Sequence, residues 1–108
     1  KRLIVAFQPH LFSRTRDHYE TFGSVFSNCD ELLVCDIYPA RELPIEGVTG
    51  ELISKSAQER GHRDARFVGE KENVLSTLSG TLSEKDLVVL MGAGNITQLG
   101  RQLLENDF

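Results

Sequence analysis

The sequence predicts a three-layer α/β/α domain built on a parallel, Rossmann-like sheet of four strands. Three observations carry that expectation. The apolar runs of strand length are continuous rather than alternating, which suits strands covered on both faces. Between them, apolar residues recur at steps of three and four, the spacing of a helix with one buried stripe. The resulting order, strand then helix repeated along the chain, calls for parallel strands joined by right-handed crossovers.

The first strand is the run Leu3-Ile4-Val5-Ala6-Phe7. Tyr19, Phe22, Phe26 and Cys29 follow at helical spacing, and Leu32-Leu33-Val34-Cys35 is the second strand. Leu52, Ile53, Ser56 and Ala57 mark a second helix before Gly61, a good C-terminal stop. Ala65-Arg66-Phe67-Val68 is a weaker strand, and Val74, Leu75 and Leu78 form a helical face ahead of Gly80. Leu87-Val88-Val89-Leu90-Met91 is the last strand, and Ile96, Leu99 and Leu103 give a closing helix. The simplest strand order is 4-1-2-3. Residues 37–48, with Pro39, Pro44 and Gly47, form the longest irregular stretch, and loops of this length are more often functional than decorative.

The 108 residues suit one domain, with 40% apolar and 26% charged residues, both ordinary for a globular protein. A net charge of −4 argues against broad binding to nucleic acid or an anionic membrane. No apolar run approaches the roughly 20 residues of a membrane span, and no signal peptide is visible. Cys29 and Cys35 sit among apolar residues and read as buried, reduced thiols of a cytoplasmic protein. Lys1 and Arg2 lead straight into the first strand, which suggests a fragment.

In such sheets ligands bind beyond the carboxyl ends of the strands, where strand order reverses. With the first and fourth strands adjacent, residues 8–16 and 92–95 share one crevice. The first loop reads Gln8-Pro9-His10-Leu11-Phe12-Ser13-Arg14-Thr15-Arg16-Asp17. Ser13 or Thr15 can cap the following helix, and Asp17 suits its first turn. Arg14 and Arg16 do not, because the positive end of the helix dipole opposes a cation by up to about 1 kcal/mol. Beside His10 they point either to an anion held by helix and side chains together, or to two solvated arginines.

The second loop, Met91-Gly92-Ala93-Gly94-Asn95-Ile96-Thr97, permits a tight turn and close backbone approach by a ligand, with Asn95 as a credible cap. A plain strand-to-helix turn is the other reading. Asp36 and Tyr38 leave the second strand toward the same crevice. Asp36 can orient Arg14, Arg16 or His10, or cap a turn. His18 and His62 read as surface residues. No metal-ligand spacing or Ser-His-Asp arrangement is evident, and Gly-x-x-x-x-Gly-Lys-Ser/Thr is absent. Gly92-x-Gly94 begins a dinucleotide fingerprint, but Thr97 stands where its third glycine belongs. A phosphoacceptor receiver needs acids where this chain has Gln8-Pro9-His10.

Phe7-Gln8-Pro9-His10 with Ser13-Arg14-Thr15-Arg16-Asp17 resembles a segment of the L-alanine-adding Mur ligases. Asp36-Ile37-Tyr38-Pro39-Ala40 with Pro44-Ile45 and Gly47, and Gly92-Ala93-Gly94-Asn95-Ile96, resemble two more, in the same order and register. The resemblance implies most of the C-terminal domain of a ligase that joins L-alanine to UDP-N-acetylmuramate at the expense of ATP, with Mg2+, through an acyl phosphate. It implies N-terminal and central domains that hold the UDP sugar, the phosphate-binding loop and the metal. It also implies that this domain closes over them and completes the amino-acid and ATP sites. Carried over, His10 and Arg14 face the closed site, and Gly92, Ala93, Gly94 and Asn95 lie near the incoming amino acid. Arg16, Asp36 and Tyr38 are possible supports, and no residue here is expected to bind metal. Leu11 stands where many members have arginine, Arg41 replaces a common glycine, and Thr97 replaces another. The family's preceding strand is missing, and the fragment alone is expected to be inactive. The same domain of the murein tripeptide ligase, or a non-catalytic ligand-binding module of this fold, are the alternatives.

Overall fold

A computed structural model describes residues 2–92 and 96–105. Strands β1 (Leu3–Gln8), β2 (Glu31–Cys35), β3 (Ala65–Gly69) and β4 (Leu87–Gly92) form one sheet in the order β3-β2-β1-β4, every pairing parallel. This is the expected 4-1-2-3 seen from the other edge. Helices α1 (Phe12–Val25), α2 (Glu51–Glu59), α3 (Asn73–Leu78) and α4 (Leu99–Glu105) connect and close them, α4 preceded by a 3-10 turn over Ile96–Gln98.

The continuous apolarity of the strands has the expected cause, because each face of the sheet carries its own core. Ile4, Ala6, Leu33 and Cys35 pack with Val74, Leu78, Ile96 and Leu99 on the α3/α4 side. Val5, Leu32, Val34 and Ala65 pack with Phe26, Cys29, Ile53 and Ala57 on the α1/α2 side. Leu103 falls in α4, and its side chain is outside the described set.

Helix α1 stops at Val25, short of the expected reach to Cys29, yet Phe26 and Cys29 stay in the core through a turn in which the Cys29 N–H donates to the Phe26 carbonyl at 3.2 Å. Gly61 ends α2 as expected. It sits at φ 98°, its N–H donates to Gln58 at 2.9 Å, and the His62 N–H donates to Ala57 at 3.0 Å, the paired bonds of a Schellman stop.

Helices α1 and α2 touch at Gly23, where a methyl group would lie 2.5 Å from Ser56 Oγ and 2.9 Å from the Ala57 nitrogen. At the rim where the strands begin, Arg2 grips Asp86 at 2.8 Å and also donates to the Thr81 carbonyl. Buried Glu31 pairs there with Arg66. Arg2, then the Ser83 amide, pull the Asp86 carboxyl down to about 2.

Two outcomes follow from this packing. Gly23→Ala gains about 1 kcal/mol of helix propensity, but overpacking against backbone costs about 1–3 kcal/mol. Net destabilisation is expected in urea unfolding, and a more stable variant would show that the helix contact is not tight. The depressed Asp86 value means that its pairing stabilises the fold above pH 3.8, the ordinary aspartate value, and is lost as the pH falls through about 2. Asp86→Asn should therefore lower the melting temperature at pH 7 and leave it unchanged near the acid limit, whereas an equal loss at both ends would rule out the linkage.

Candidate functional site

In a parallel sheet the segments leaving β1, β2 and β4 emerge at one edge. β1 leads into Pro9-His10-Leu11 and the start of α1, β2 into residues 36–45, and β4 ends at Gly92, directly opposite Gln8. The first two segments are joined by their backbones. The Tyr38 N–H donates to the Pro9 carbonyl at 2.8 Å, and the Leu11 N–H donates to the Tyr38 carbonyl at 2.9 Å, a short parallel bridge between His10 and Tyr38. Their rings stack, with centroids 6.1 Å apart and planes 24° from parallel. The structure therefore brings His10 and Tyr38 together from segments 28 residues apart.

The start of α1 differs from the expectation. Leu11 holds the cap position at φ 71° with no side-chain cap bond. The cap comes from the second segment. The Phe12 and Ser13 N–H groups donate to Oε1 of Glu42, the latter at 3.0 Å, and the Ser13 hydroxyl donates to Oε2. Ser13 and Thr15 are not the caps. The helix begins one residue before Ser13, and the Thr15 hydroxyl turns back to the Leu11 carbonyl at 2.9 Å. Asp17 lies beyond the first turn and pairs with Arg16 at 2.9 Å. The Ser13 hydroxyl first, then the Ser13 and Phe12 amides and the charge of Arg16, hold the Glu42 carboxyl below the usual glutamate value. Two of the free N–H groups at this helix end are therefore already bonded to a carboxylate, which leaves the choice between a bound anion and solvated arginines to the side chains.

Glu42 reaches that position through a tight turn in which its N–H donates to the Pro39 carbonyl at 2.9 Å, with Ala40 at φ 46° and Arg41 at φ 78°. Left-handed backbone costs a side-chain-bearing residue about 1–2 kcal/mol. Glycine at position 41 would avoid that cost, and the resemblance places a glycine there.

Arg14 and Arg16 part company. Arg16 is bound to Asp17, whereas Arg14 is exposed on the first turn and its side chain makes no hydrogen bond or ion pair with any described residue. Asp36 is exposed and does not reach Arg14, Arg16 or His10; its N–H donates to the Gly69 carbonyl at 2.7 Å, so an orienting role is not supported. Gly92, at φ 147°, allows β4 to close on β1, because a Cβ there would stand 2.5 Å from the Gln8 carbonyl oxygen. Gln8 is buried, and its side-chain Oε1 has no partner among the described residues. Ala93, Gly94 and Asn95 lie outside the described residues.

Elsewhere, both cysteines are free and buried, as expected, and burial pushes the Cys35 thiol up to about 12. His18 is exposed, but His62 is half-buried. Its Nδ1 accepts the Asp64 N–H at 3.1 Å and its Nε2 lies 3.4 Å from Cys29 Sγ, which corrects the surface reading. Among the described residues no three His, Cys, Asp or Glu side chains converge on a metal position, and no helix is long and apolar enough to cross a membrane. Glu42 and Gln8 are the residues that sequence reasoning did not single out. For Glu42 the sequence held no local signal, since Ser13 and Thr15 are themselves good caps by residue type and the carboxylate comes from about thirty residues away.

A family model described as "Mur ligase, glutamate ligase domain" matches residues 1–94. A UDP-N-acetylmuramate–L-alanine ligase of Geotalea daltonii is 45% identical over 97% of this chain, which spans 23% of that relative's length. Relatives with the same name from Cutibacterium acnes and Xylella fastidiosa (strain M12) are 47% and 38% identical over 95% and 100% of the chain, which spans 22% and 23% of their lengths. The chain thus spans about a quarter of the curated relatives it matches. The matched stretch includes all four strands and both joined loops, and on that basis the chain belongs to the Mur ligase family, as its glutamate ligase domain.

Proposed function

We propose that this chain is the C-terminal domain of a cytoplasmic, ATP-dependent ligase that joins L-alanine to UDP-N-acetylmuramate, a step in peptidoglycan precursor synthesis. The remaining length of the enzyme supplies the UDP-sugar site, the phosphate-binding loop and the magnesium ligands. ATP transfers its terminal phosphoryl group to the sugar's carboxylate, releasing ADP and leaving an acyl phosphate. The amine of L-alanine gives up its proton and attacks the carbonyl carbon. The tetrahedral intermediate then expels phosphate and forms the amide.

This chain's part is to hold anionic groups during those steps. The observation that carries the assignment is the state of Arg14: exposed on the first turn of α1, close in sequence to His10, with its planar fork unengaged among the described residues while Arg16 is tied to Asp17. Such a fork suits a carboxylate or the oxygens of a phosphate. His10, steadied by the Tyr38 ring, is placed to donate a hydrogen bond or to take the amine's proton. Gly92, Ala93, Gly94 and Asn95 are assigned to the amino-acid side of the site by their resemblance to the family segment. The clash between Arg14 and the helix dipole no longer argues for a ligand anion, since Glu42 answers it. What remains in favour of Arg14 is a side chain with no partner among the described residues.

In the full-length enzyme, Arg14→Ala should lower kcat at least ~100-fold, a transition-state loss of about 3 kcal/mol, with little change in UDP-sugar affinity. Arg14→Lys should recover part of the rate, since it keeps the charge and loses the fork. Arg16→Ala should matter less. Steady-state kinetics on these variants decides the matter, and a near wild-type rate for Arg14→Ala would remove Arg14 from the site.

A further inference from the structure

We infer that Glu42 is a positioning residue, whose carboxylate locks residues 38–45 onto the first turn of α1 and so sets where His10 and Arg14 stand in the site. The inference rests on the function proposed above.

Three donors converge on this one side chain, from Phe12 and Ser13, about thirty residues earlier in the chain. With the His10–Tyr38 bridge and ring stack, they make the two loops a single body. Arg14 is the next residue after Ser13, whose amide and hydroxyl both bond Glu42, so the carboxylate fixes the turn that carries Arg14. It also offsets the positive end of the helix, which lets Arg14 stand there without a partner.

Backbone strain points the same way. Leu11, Ala40 and Arg41 are the positive-φ residues other than glycine among those described, and all three lie in these two loops. Such conformations persist where surrounding contacts over-determine them, and they gather at functional sites. A loop needed only to connect β2 to α2 would have no reason to keep Ala40 and Arg41 strained so that one carboxylate can reach α1. The site gains a fixed floor from that strain.

The test uses the full-length ligase with Arg14→Ala, Glu42→Ala, Glu42→Gln and the double variant Arg14→Ala/Glu42→Ala. Glu42→Ala should lower kcat/KM for L-alanine ~10- to 100-fold, while UDP-sugar affinity changes less than about 2-fold, because only the groups placed by the clamp are lost. Glu42→Gln keeps one acceptor oxygen and should recover part of the rate; it also serves if the alanine variant folds poorly. The double variant should lose clearly less, relative to Arg14→Ala alone, than Glu42→Ala loses singly, because only the share of that loss that passes through His10 remains. Near wild-type kinetics for both Glu42 variants, with only a lower melting temperature, would reduce Glu42 to a stabilising contact and overturn the inference. Fully additive losses would also overturn it, since Glu42 would then act apart from Arg14. An unaffected Arg14→Ala would instead remove the proposed site and take this inference with it. An affected Arg14→Ala beside unaffected Glu42 variants would remove the positioning role alone.

Discussion

The parallel pairing of β1 between β2 and β4 is the constraint on which everything else depends. Parallel strands cannot be joined by tight hairpins, so each connection must cross the sheet and return to the same end. Every segment leaving a strand therefore appears at one edge. The two-sided burial of β1 and β2 demands helices on both faces, and the helices that cover them begin from that edge. His10, Tyr38 and Gly92 come from three distant parts of the sequence, yet they lie at or just beyond the ends of strands that are direct neighbours. The close approach at Gly92, opposite Gln8, shows how tightly the seam between β1 and β4 is drawn at the edge.

Topology brings the segments near one another, but it does not fix them. That task falls to a few polar contacts around the start of α1. A helix leaves its first N–H groups without partners, and they must be satisfied by a side chain, water or ligand. Here a carboxylate from the neighbouring segment satisfies two of them. The site's basic groups are left on the surface of a body already neutralised at its most positive point. Arg14 can then present an unengaged guanidinium without opposing the helix it grows from.

The fold was legible because it depends on burial, and burial is written in the apolar pattern. The four strands, the stop at Gly61 and the two buried cysteines need only local spacing and hydrophobicity to be read. The end of α1 was less legible, since Phe26 and Cys29 keep helical spacing and core positions after the helix has stopped. The site was legible in its composition and illegible in its contacts. His10, Arg14 and Tyr38 stand out by type and place, but the Glu42 cap joins residues about thirty apart through side-chain geometry. Spacing alone left Asp36 open between orienting Arg14, Arg16 or His10 and capping a turn, because a strand end gives a residue its place and not its contacts. His62 misled because its partners, Cys29 and the Asp64 amide, lie across a turn and on another element.

On the function proposed above, this edge of the sheet holds the anionic reacting groups of a ligation. The most direct measurement is a crystal structure of the full-length enzyme bound to a tetrahedral phosphinate analogue of the intermediate. The guanidinium of Arg14 should lie within about 3 Å of an oxygen of the analogue, a charge-assisted hydrogen bond, with His10 still stacked on Tyr38 at its side. An analogue held wholly by the other domains, with Arg14 left in solvent, would contradict the claim.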